Sequence, residues 1–284
     1  MPLSAIKNRA VYIVSNMIRV EHDGRVGLLP LNSIAHLSEL FIHVQEEHRL
    51  RNLAEPQLTE IATELSKTYI PLANSSTKVN IDIEKFQLCK FAKYLYAKSL
   101  LENGELLIRP ASDFMDNAFN KAIQDEELKS SSFIPKREVT ILAQDKDGPR
   151  EISPLTNVEY SVTSDVEFYL CSFSNTFKPR LFIDLGYDAC VLIKDKTEFE
   201  YRLYNSSLKQ LPEWSCYHAS ISYHDGILGS FMTTPAPYFS KGLAYQYQDE
   251  YRYAWLPEQR PSQRLEKMLL TLGSLSDIAE IIKL

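Results

Sequence analysis

The amino-acid sequence predicts an α+β protein with helices gathered towards the N-terminus and strands dominating the rest. Three observations carry this. Apolar residues recur at helical spacing before about residue 130, and from Lys136 onward the period changes to that of strands. Hydrophobic residues make up 44% of the 284 residues and charged residues 24%, enough to build a core without disulfide or metal staples. Glycine occurs only 9 times, and neither G-x-G-x-x-G nor G-x-x-x-x-G-K-[ST] is present, which argues against a doubly wound dinucleotide fold and P-loop chemistry.

Taken in order, residues 10–20 alternate loosely and are rich in Val, Ile and Tyr, so they read as a strand. Asp23-Gly24 then marks a hairpin returning through residues 25–31. Asn32 or Ser33 can cap a helix whose apolar side is Ile34, Leu37, Leu40, Phe41 and Val44. Pro56 opens a second helix with Leu58, Ile61, Ala62 and Leu65 on one face, ending before Pro71. Asn74-Ser75-Ser76-Thr77 reads as a linker, placing a boundary near residue 80. Residues 1–80 then form a hairpin and helical accessory region, and 81–284 a mixed α/β domain.

Asp82 can cap a third helix carrying Phe86, Cys89, Phe91, Leu95 and Leu100, stopped by Asn103-Gly104. Residues 105–110 are a short strand, and Ser112 or Asp113 starts a fourth helix running to about Lys129. Strands are expected over 137–143, 150–153, 158–162, 166–173, 189–193, 214–223, 251–255 and 268–272, with a turn at 145–148. Helical turns are expected at 182–185 and 199–203, and a terminal helix at 278–282. No internal repeat is found.

A net charge of -6 does not suit a general nucleic-acid coat, although it leaves room for a local basic cleft. The four cysteines, Cys89, Cys171, Cys190 and Cys216, form no C-x-x-C and lie in mostly apolar stretches, as buried reduced thiols of a cytoplasmic protein do. The first residues lack a secretory pattern, and no apolar run approaches the roughly 20 residues of a membrane helix, so no membrane is expected.

Metal and nucleophile chemistry find little support. His43 and His48 are five residues apart, which turns their rings about 140° from each other on a helix, whereas a zinc helix needs a spacing of four. No metal is expected. There is no G-x-S-x-G elbow, and no cysteine sits in a recognisable Cys/His setting. His218 and His224 flank a strand and are candidate bases, or structural histidines. A nuclease is disfavoured because local spacing assembles no paired-carboxylate site.

Two polar clusters interrupt the strand-rich part. In Cys171-Ser172-Phe173-Ser174 the two hydroxyls, two residues apart on a strand, point to one face and Phe173 to the other. In Gln248-Asp249-Glu250-Tyr251-Arg252, Gln248 and Glu250 project together if the segment is extended. Arg109 ends the apolar strand Leu106-Leu107-Ile108. An Arg on an early strand, a Ser-x-Ser on a middle strand and a Gln-x-Glu near a late strand resemble the ADP-ribosyltransferases of the Arg–Ser–Glu class.

That resemblance implies a split, mixed β-sheet with flanking helices that clamps NAD, the substrate, in a bent form. Arg109 would hold the phosphates, and Ser172 would orient Glu250 with support from Ser174. Glu250 would meet the nicotinamide-side ribose and Gln248 the acceptor, a protein side chain or a nucleic-acid base. Tyr or Phe residues would stack on the nicotinamide, with none singled out for that role, and Tyr247 would be a further residue on the cofactor side. A second resemblance spans about Phe86 to Trp255: Lys93-Tyr94, Asn103-Gly104-Glu105-Leu106, Phe114 and Asn117, the Ser-Phe-Ser strand and Tyr247-Gln248-Asp249-Glu250-Tyr251-Arg252. These are similar to uncharacterised bacterial proteins suspected to be toxins or phage-defence effectors.

Two features depart from the transferase pattern. Ser-Phe-Ser stands where that family has Ser-Thr-Ser, and Arg252 can neutralise Glu250. A bland reading therefore stands beside the functional one. Glu250 and Arg252 form a surface pair worth little, the serines are ordinary strand hydroxyls, and Arg109 faces water. A non-enzymatic module binding a nucleotide or a protein in the same cleft is the alternative function. The acidic run Asp113, Asp116, Asp125, Glu126 and Glu127 reads as a solvated helix face. Tyr238, Phe239, Tyr245 and Tyr247, entered through Pro235-Ala236-Pro237, form a long loop before Gln248 that either binds substrate or packs on the sheet edge.

Overall fold

A computed structural model describes residues 3–21, 23–73, 85–134, 136, 139–146, 148–156, 158–225 and 236–284. The chain begins with helix α1 (Leu3–Met17), not a strand. Ile6, Ala10, Ile13, Val14 and Met17 recur every three to four residues and are buried against Ile34, Leu37, Leu40, Phe41 and Val44. That burial outweighs the strand preference of the β-branched residues. The Asp23-Gly24 hairpin forms as expected, joining β1 (Ile18–Val20) to β2 (Val26–Leu28), with Gly24 at φ 80°. Helices α2 (Leu31–Leu50) and α3 (Leu58–Ser66) follow. The chain then stays helical through Pro71, first as a 3₁₀ turn (Lys67–Tyr69) and then as α4 (Ile70–Ala73). Pro71 falls in the first turn of α4, where a missing N–H costs nothing. The linker and boundary expected near residue 80, and Asp82, lie outside the described residues.

The centre is an eight-stranded sheet. Its members are β3 (Leu88–Ala92), β4 (Glu105–Pro110), β9 (Tyr169–Ser174), β10 (Ala189–Ile193), β11 (Trp214–Ser220), β14 (Glu250–Pro257), β15 (Met268–Thr271) and β16 (Ala279–Lys283). They run in the order β11-β14-β9-β3-β10-β16, with β4 leaving from β9 to pair with β15. Every pairing in this sheet is antiparallel, which corrects the expected mixed sheet. Among the described residues parallel pairing occurs in a separate ribbon, β12 (Ser222–His224) with β13 (Ser240–Gly242). Strands β5 (Lys129–Ile134) and β8 (Val158–Thr163), and then β6 (Ile141–Asp145) and β7 (Gly148–Ile152), form two further ribbons.

Three expected helices are replaced. Cys89 and Phe91 lie on β3, paired with β10, and the helix α5 (Tyr94–Asn103) begins only after Lys93. The Asp188 carboxylate accepts the Tyr94 N–H and fixes that start. After β4 the chain makes a 3₁₀ turn (Ala111–Met115) in place of the fourth helix. Asp116 and Asn120 there accept backbone N–H groups two and three residues on, an arrangement that competes with a helix. The C-terminal segment is β16, because pairing with β10 satisfies its backbone along five residues. At the α5–β4 corner Gly104, φ 69°, ends the helix as expected, and a Cβ there would lie 2.0 Å from the Gly273 carbonyl oxygen.

One face of the sheet carries the main core. Tyr169, Cys171, Phe173, Tyr251, Tyr253 and Trp255 pack there with Leu100 of α5 and with Phe199 and Leu203 of α7 (Lys196–Gln210). The other face holds two smaller apolar clusters. Phe91, Phe177 and Phe182, the last on α6 (Arg180–Leu185), form one, and Phe168, Leu170 and Ala254 form the other. The N-terminal helices attach through Arg180, whose guanidinium donates to the carbonyls of Ser15 and Ile18 at 2.7 and 3.1 Å and to the Tyr69 hydroxyl at 2.7 Å.

Candidate functional site

Strand alternation creates the site. On β14, Tyr251, Tyr253 and Trp255 enter the main core, so Glu250 and Arg252 face the other way. On β9 the same rule sends Ser172 and Ser174 to the side of Glu250 and Arg252. These four side chains form a polar island between the two smaller apolar clusters.

Beside the island the sheet opens. Strand β9 pairs with β3 at Cys89–Ser174 and with β4 at Arg109–Leu170 and Pro110–Tyr169, and between these points β3 and β4 diverge. Helix α5 links the two and borders the wedge. The opening holds a cavity of about 710 Å³, lined by residues of β3, α5, β4 and β9 and by Glu127, Lys241, Gln248 and Glu250. Five of the expected residues, Arg109, Ser172, Ser174, Gln248 and Glu250, therefore come together on one cavity although they derive from three separate stretches of chain. Tyr247 does not line it. Its ring lies against the Arg180 guanidinium, 4.1 Å from the centroid, and its N–H donates to Asn16 at 2.6 Å.

The partners of Glu250 define the floor. Its Oε1 accepts from Ser172 Oγ and from Arg252 Nε at 2.8 Å, while Oε2 lies 2.9 Å from Lys241 Nζ. Its own N–H donates to the Tyr223 hydroxyl at 2.8 Å. Arg252 is wholly buried and forks onto Glu127, with distances of 2.6 and 3.0 Å. Lys241 Nζ also lies 3.7 Å from Glu127, 3.9 Å from Asp125 and 3.4 Å from Gln248 Oε1. The surface pair of the bland reading is thus a buried network, and the acidic run is not a helix face: Glu127 is 4% exposed. Burial pushes the Glu250 carboxyl up, but Arg252, Lys241 and the Ser172 hydrogen bond outweigh it and hold the group well below the usual carboxylate range. Lys241 is likewise held above its ordinary value, burial being outweighed by Glu250 and Glu127.

Two expected residues take supporting geometry. Ser174 Oγ lies 2.7 Å from the Gln248 carbonyl and 2.8 Å from that of Thr176, so it braces the turn into β14. That turn is not extended: Asp249 adopts φ 47°, and its side chain is held by Asn175 and Thr176. Gln248 nevertheless meets Glu250 through Lys241, and its Nε2 donates to the Ala122 carbonyl at 2.7 Å. Arg109 lies 5.4 Å over the Phe119 ring, which stacks on Phe114, and 3.7 Å from Asp113.

Lys241, Glu127 and the double role of Arg252 were not read from the sequence. Glu127 gave no signal apart from neighbouring acids, and Lys241 stands alone between aromatic residues. The aromatic loop packs inward: Tyr238 and Phe239 join the Phe168 cluster, and the Tyr245 hydroxyl donates to the Gln124 carbonyl at 2.9 Å. The other candidates are structural. His48 is buried, its Nδ1 2.8 Å from the Val44 carbonyl, His218 meets the Tyr251 hydroxyl at 2.6 Å, and His224 lies between Ser130 and Ser240. Among the described residues no group of three or more His, Cys, Asp or Glu side chains is placed to hold a metal ion. None of their helices is long and apolar enough to cross a membrane. No protein-family model matches the chain, and no curated protein or solved structure matches it.

Proposed function

We propose that the chain is an NAD-dependent ADP-ribosyltransferase-like enzyme, with the wedge cavity holding the dinucleotide. The observation that carries this is the convergence of Arg109, Ser172, Gln248 and Glu250 on one cavity where the sheet splits. In the reaction the bond between the ribose carbon and the nicotinamide nitrogen breaks, and nicotinamide leaves with the electron pair. Positive charge develops on the ribose. An acceptor nucleophile, on a protein or a nucleic-acid base, then bonds to that carbon and releases a proton.

The floor suits the charged intermediate state. Asp125, Glu127 and Glu250 face Lys241 and Arg252; burial pushes the Glu127 carboxyl up, whereas at Glu250 burial is outweighed by Arg252 and Lys241, which hold it down, so Glu250 is the carboxylate kept charged on the cavity wall. In NAD the positive charge starts on the nicotinamide ring, and a fixed carboxylate beside the ribose carbon stabilises it as it moves onto the ribose, without reorganisation during the reaction. Ser172 and Lys241 hold the Glu250 oxygens, and Arg109 offers a planar fork for phosphate. The same reading places the protein in the bacterial cytoplasm, where its four free cysteines stay reduced.

The test is release of nicotinamide from NAD in the presence of candidate acceptors. Glu250→Gln is expected to lower the rate by about 10²–10³. Equal rates in wild type and variant, or no release with any acceptor, would end the transferase reading. A second reading, a non-enzymatic nucleotide-binding module, is favoured by one observation: both Glu250 oxygens are already partnered and the residue is 3% exposed. Its signature is heat of NAD binding in calorimetry with the dinucleotide recovered intact.

A further inference from the structure

Three strands end the central sheet, and they are guarded unequally. Among the described residues β15 pairs with β4 alone, β16 with β10 alone and β11 with β14 alone. A free edge offers unpaired backbone groups to any other strand, and short length or charge along the edge discourages that pairing. Strand β15 has four residues, and β16 has five with Glu280 and Lys283 exposed. Strand β11 has seven, Trp214-Ser215-Cys216-Tyr217-His218-Ala219-Ser220, without Lys, Arg, Asp, Glu or Pro. The Ile221 N–H donates to the Glu250 carbonyl of β14, so by alternation Cys216, His218 and Ser220 turn their backbone groups outward. The central side chain, Tyr217, is 50% exposed.

Helix α7 lies over this edge. Glu200 Oε1 accepts from the Tyr251 and Tyr253 hydroxyls at 3.1 and 3.2 Å and lies 3.5 Å from His218 Nδ1. The Ser207 hydroxyl accepts from Trp255 Nε1 at 2.8 Å. Away from the core α7 exposes Tyr201, Tyr204 and Leu208. At about 100° per residue Tyr204 and Leu208 stand about 40° and 80° round the helix from Glu200, on the β11 side. Arg202 points the other way, to Asp277.

We propose that a second copy of this chain adds to β11 about a two-fold axis at Tyr217. Antiparallel pairing in that register sets Tyr217 against the partner's Tyr217 in a non-hydrogen-bonded pair, and Cys216 exchanges both backbone bonds with the partner's His218. Charge selects a second copy as the occupant. The strand holds no acid, lysine or arginine, and His218 faces Cys216, so a chain of net charge -6 meets itself here without like charges opposed. A two-fold contact also needs a patch that complements itself, which paired tyrosines provide. The same axis serves the helix. With strands about 4.8 Å apart, α7 seated over β11 and β14 lies about 10–14 Å from its mate, within reach of side chains as long as Tyr. Glu200 stands beside His218, and Ser207 beside Trp255, which pairs with Cys216. The midpoint of Tyr201 and Tyr204 falls between these anchors, level with Tyr217, so Tyr201 faces the partner's Tyr204.

The experiment is sedimentation equilibrium of the full chain over a concentration series, for the wild type, Tyr217→Lys and Tyr204→Glu. The wild type is expected to be a dimer at micromolar concentration. Tyr217→Lys sets two ammonium groups against each other on the axis, and Tyr204→Glu presses a carboxylate onto the partner's Tyr201. Each is expected to raise the dimer dissociation constant about tenfold or more. Both side chains are exposed in the single chain, so neither variant removes a core contact. Tyr217→Cys is expected to link the copies by a disulfide under mild oxidation, since the Cα atoms of such a pair lie about 4.5 Å apart, whereas Ser220→Cys is not. A wild type that stays monomeric at millimolar concentration overturns the proposal and leaves the edge to an extended segment of another protein. A dimer that neither charge weakens, or that Ser220→Cys links as readily as Tyr217→Cys, overturns it in favour of a different surface. No readout involves NAD, so the outcome is independent of the transferase reading.

Discussion

The floor and the mouth of the cavity use the same residue types to opposite ends. At the floor Arg252 and Lys241 are buried, and hydrogen bonds and short ion pairs join them to Glu127 and Glu250. At the mouth Lys93 is exposed, Lys90 and Arg109 are half-buried, and only loose or neutral partners meet them. Buried charges are tolerable only when paired and fully hydrogen-bonded, so the floor is fixed once the chain folds. Exposed and half-buried cations with loose partners cost less in folding. The floor is therefore fixed by the fold, whereas the charges at the mouth are not.

The strongest way to break this comparison is Arg252→Met. It removes the cation shared by Glu127 and Glu250 and leaves two buried carboxylates with Lys241 alone. The expected loss is about 3–5 kcal/mol, read from urea denaturation. A loss below about 1 kcal/mol would mean that water reaches the floor and that it is no more built than the mouth. The next test is acid. In the folded chain Glu250 is held below the usual carboxylate range, its burial outweighed by Arg252 and Lys241. As pH falls the unfolded chain therefore takes up this proton first. The stability it confers is fully present above the ordinary glutamate value of about 4.3 and drains as pH drops below it, by up to about 1.4 kcal/mol per pH unit. Glu250→Gln should remove that part of the slope in urea midpoints measured between pH 6 and 3. An unchanged slope would show that Glu250 titrates normally.

Much of this frame was legible in the sequence, and the failures share a cause. Residues 105–110, 189–193 and 251–255 announce their strands because burial on both faces or strict alternation leaves one solution. The Asp23-Gly24 hairpin and the Asn103-Gly104 stop are equally local, resting on glycine at positive φ. Phe86 to Leu100 misled because Cys89, Phe91, Leu95 and Leu100 fit helical spacing across what are two elements, and only pairing with β10 makes the first a strand. Residues 278–282 misled for the same reason. At the site, the alternation of Ser172, Ser174, Glu250 and Arg252 could be counted along the chain. Lys241 could not, because its place beside Glu250 depends on α1 packing against the 3₁₀ segment Leu243–Gln248 that follows Lys241, where Asn16 holds the Leu243 carbonyl and the Tyr247 N–H. Glu127 needed the chain to leave the helix its neighbours suggested.

The smallest expected effect sharpens the contrast most. Lys93→Glu reverses a charge on the rim of the same cavity that Arg252 underlies. Lys93 has no carboxylate partner to lose among the described residues, and it is exposed at the start of α5, where Asp188 already occupies the first free N–H. A new acid there gains slightly from the helix dipole and loses slightly by facing Asp188. The net change in unfolding free energy should lie within about 0.5 kcal/mol of zero, against several for Arg252→Met. A loss of 2 kcal/mol or more would show that the mouth lysines brace the wedge between β3 and β4, and the division between a fixed floor and a free mouth would fail.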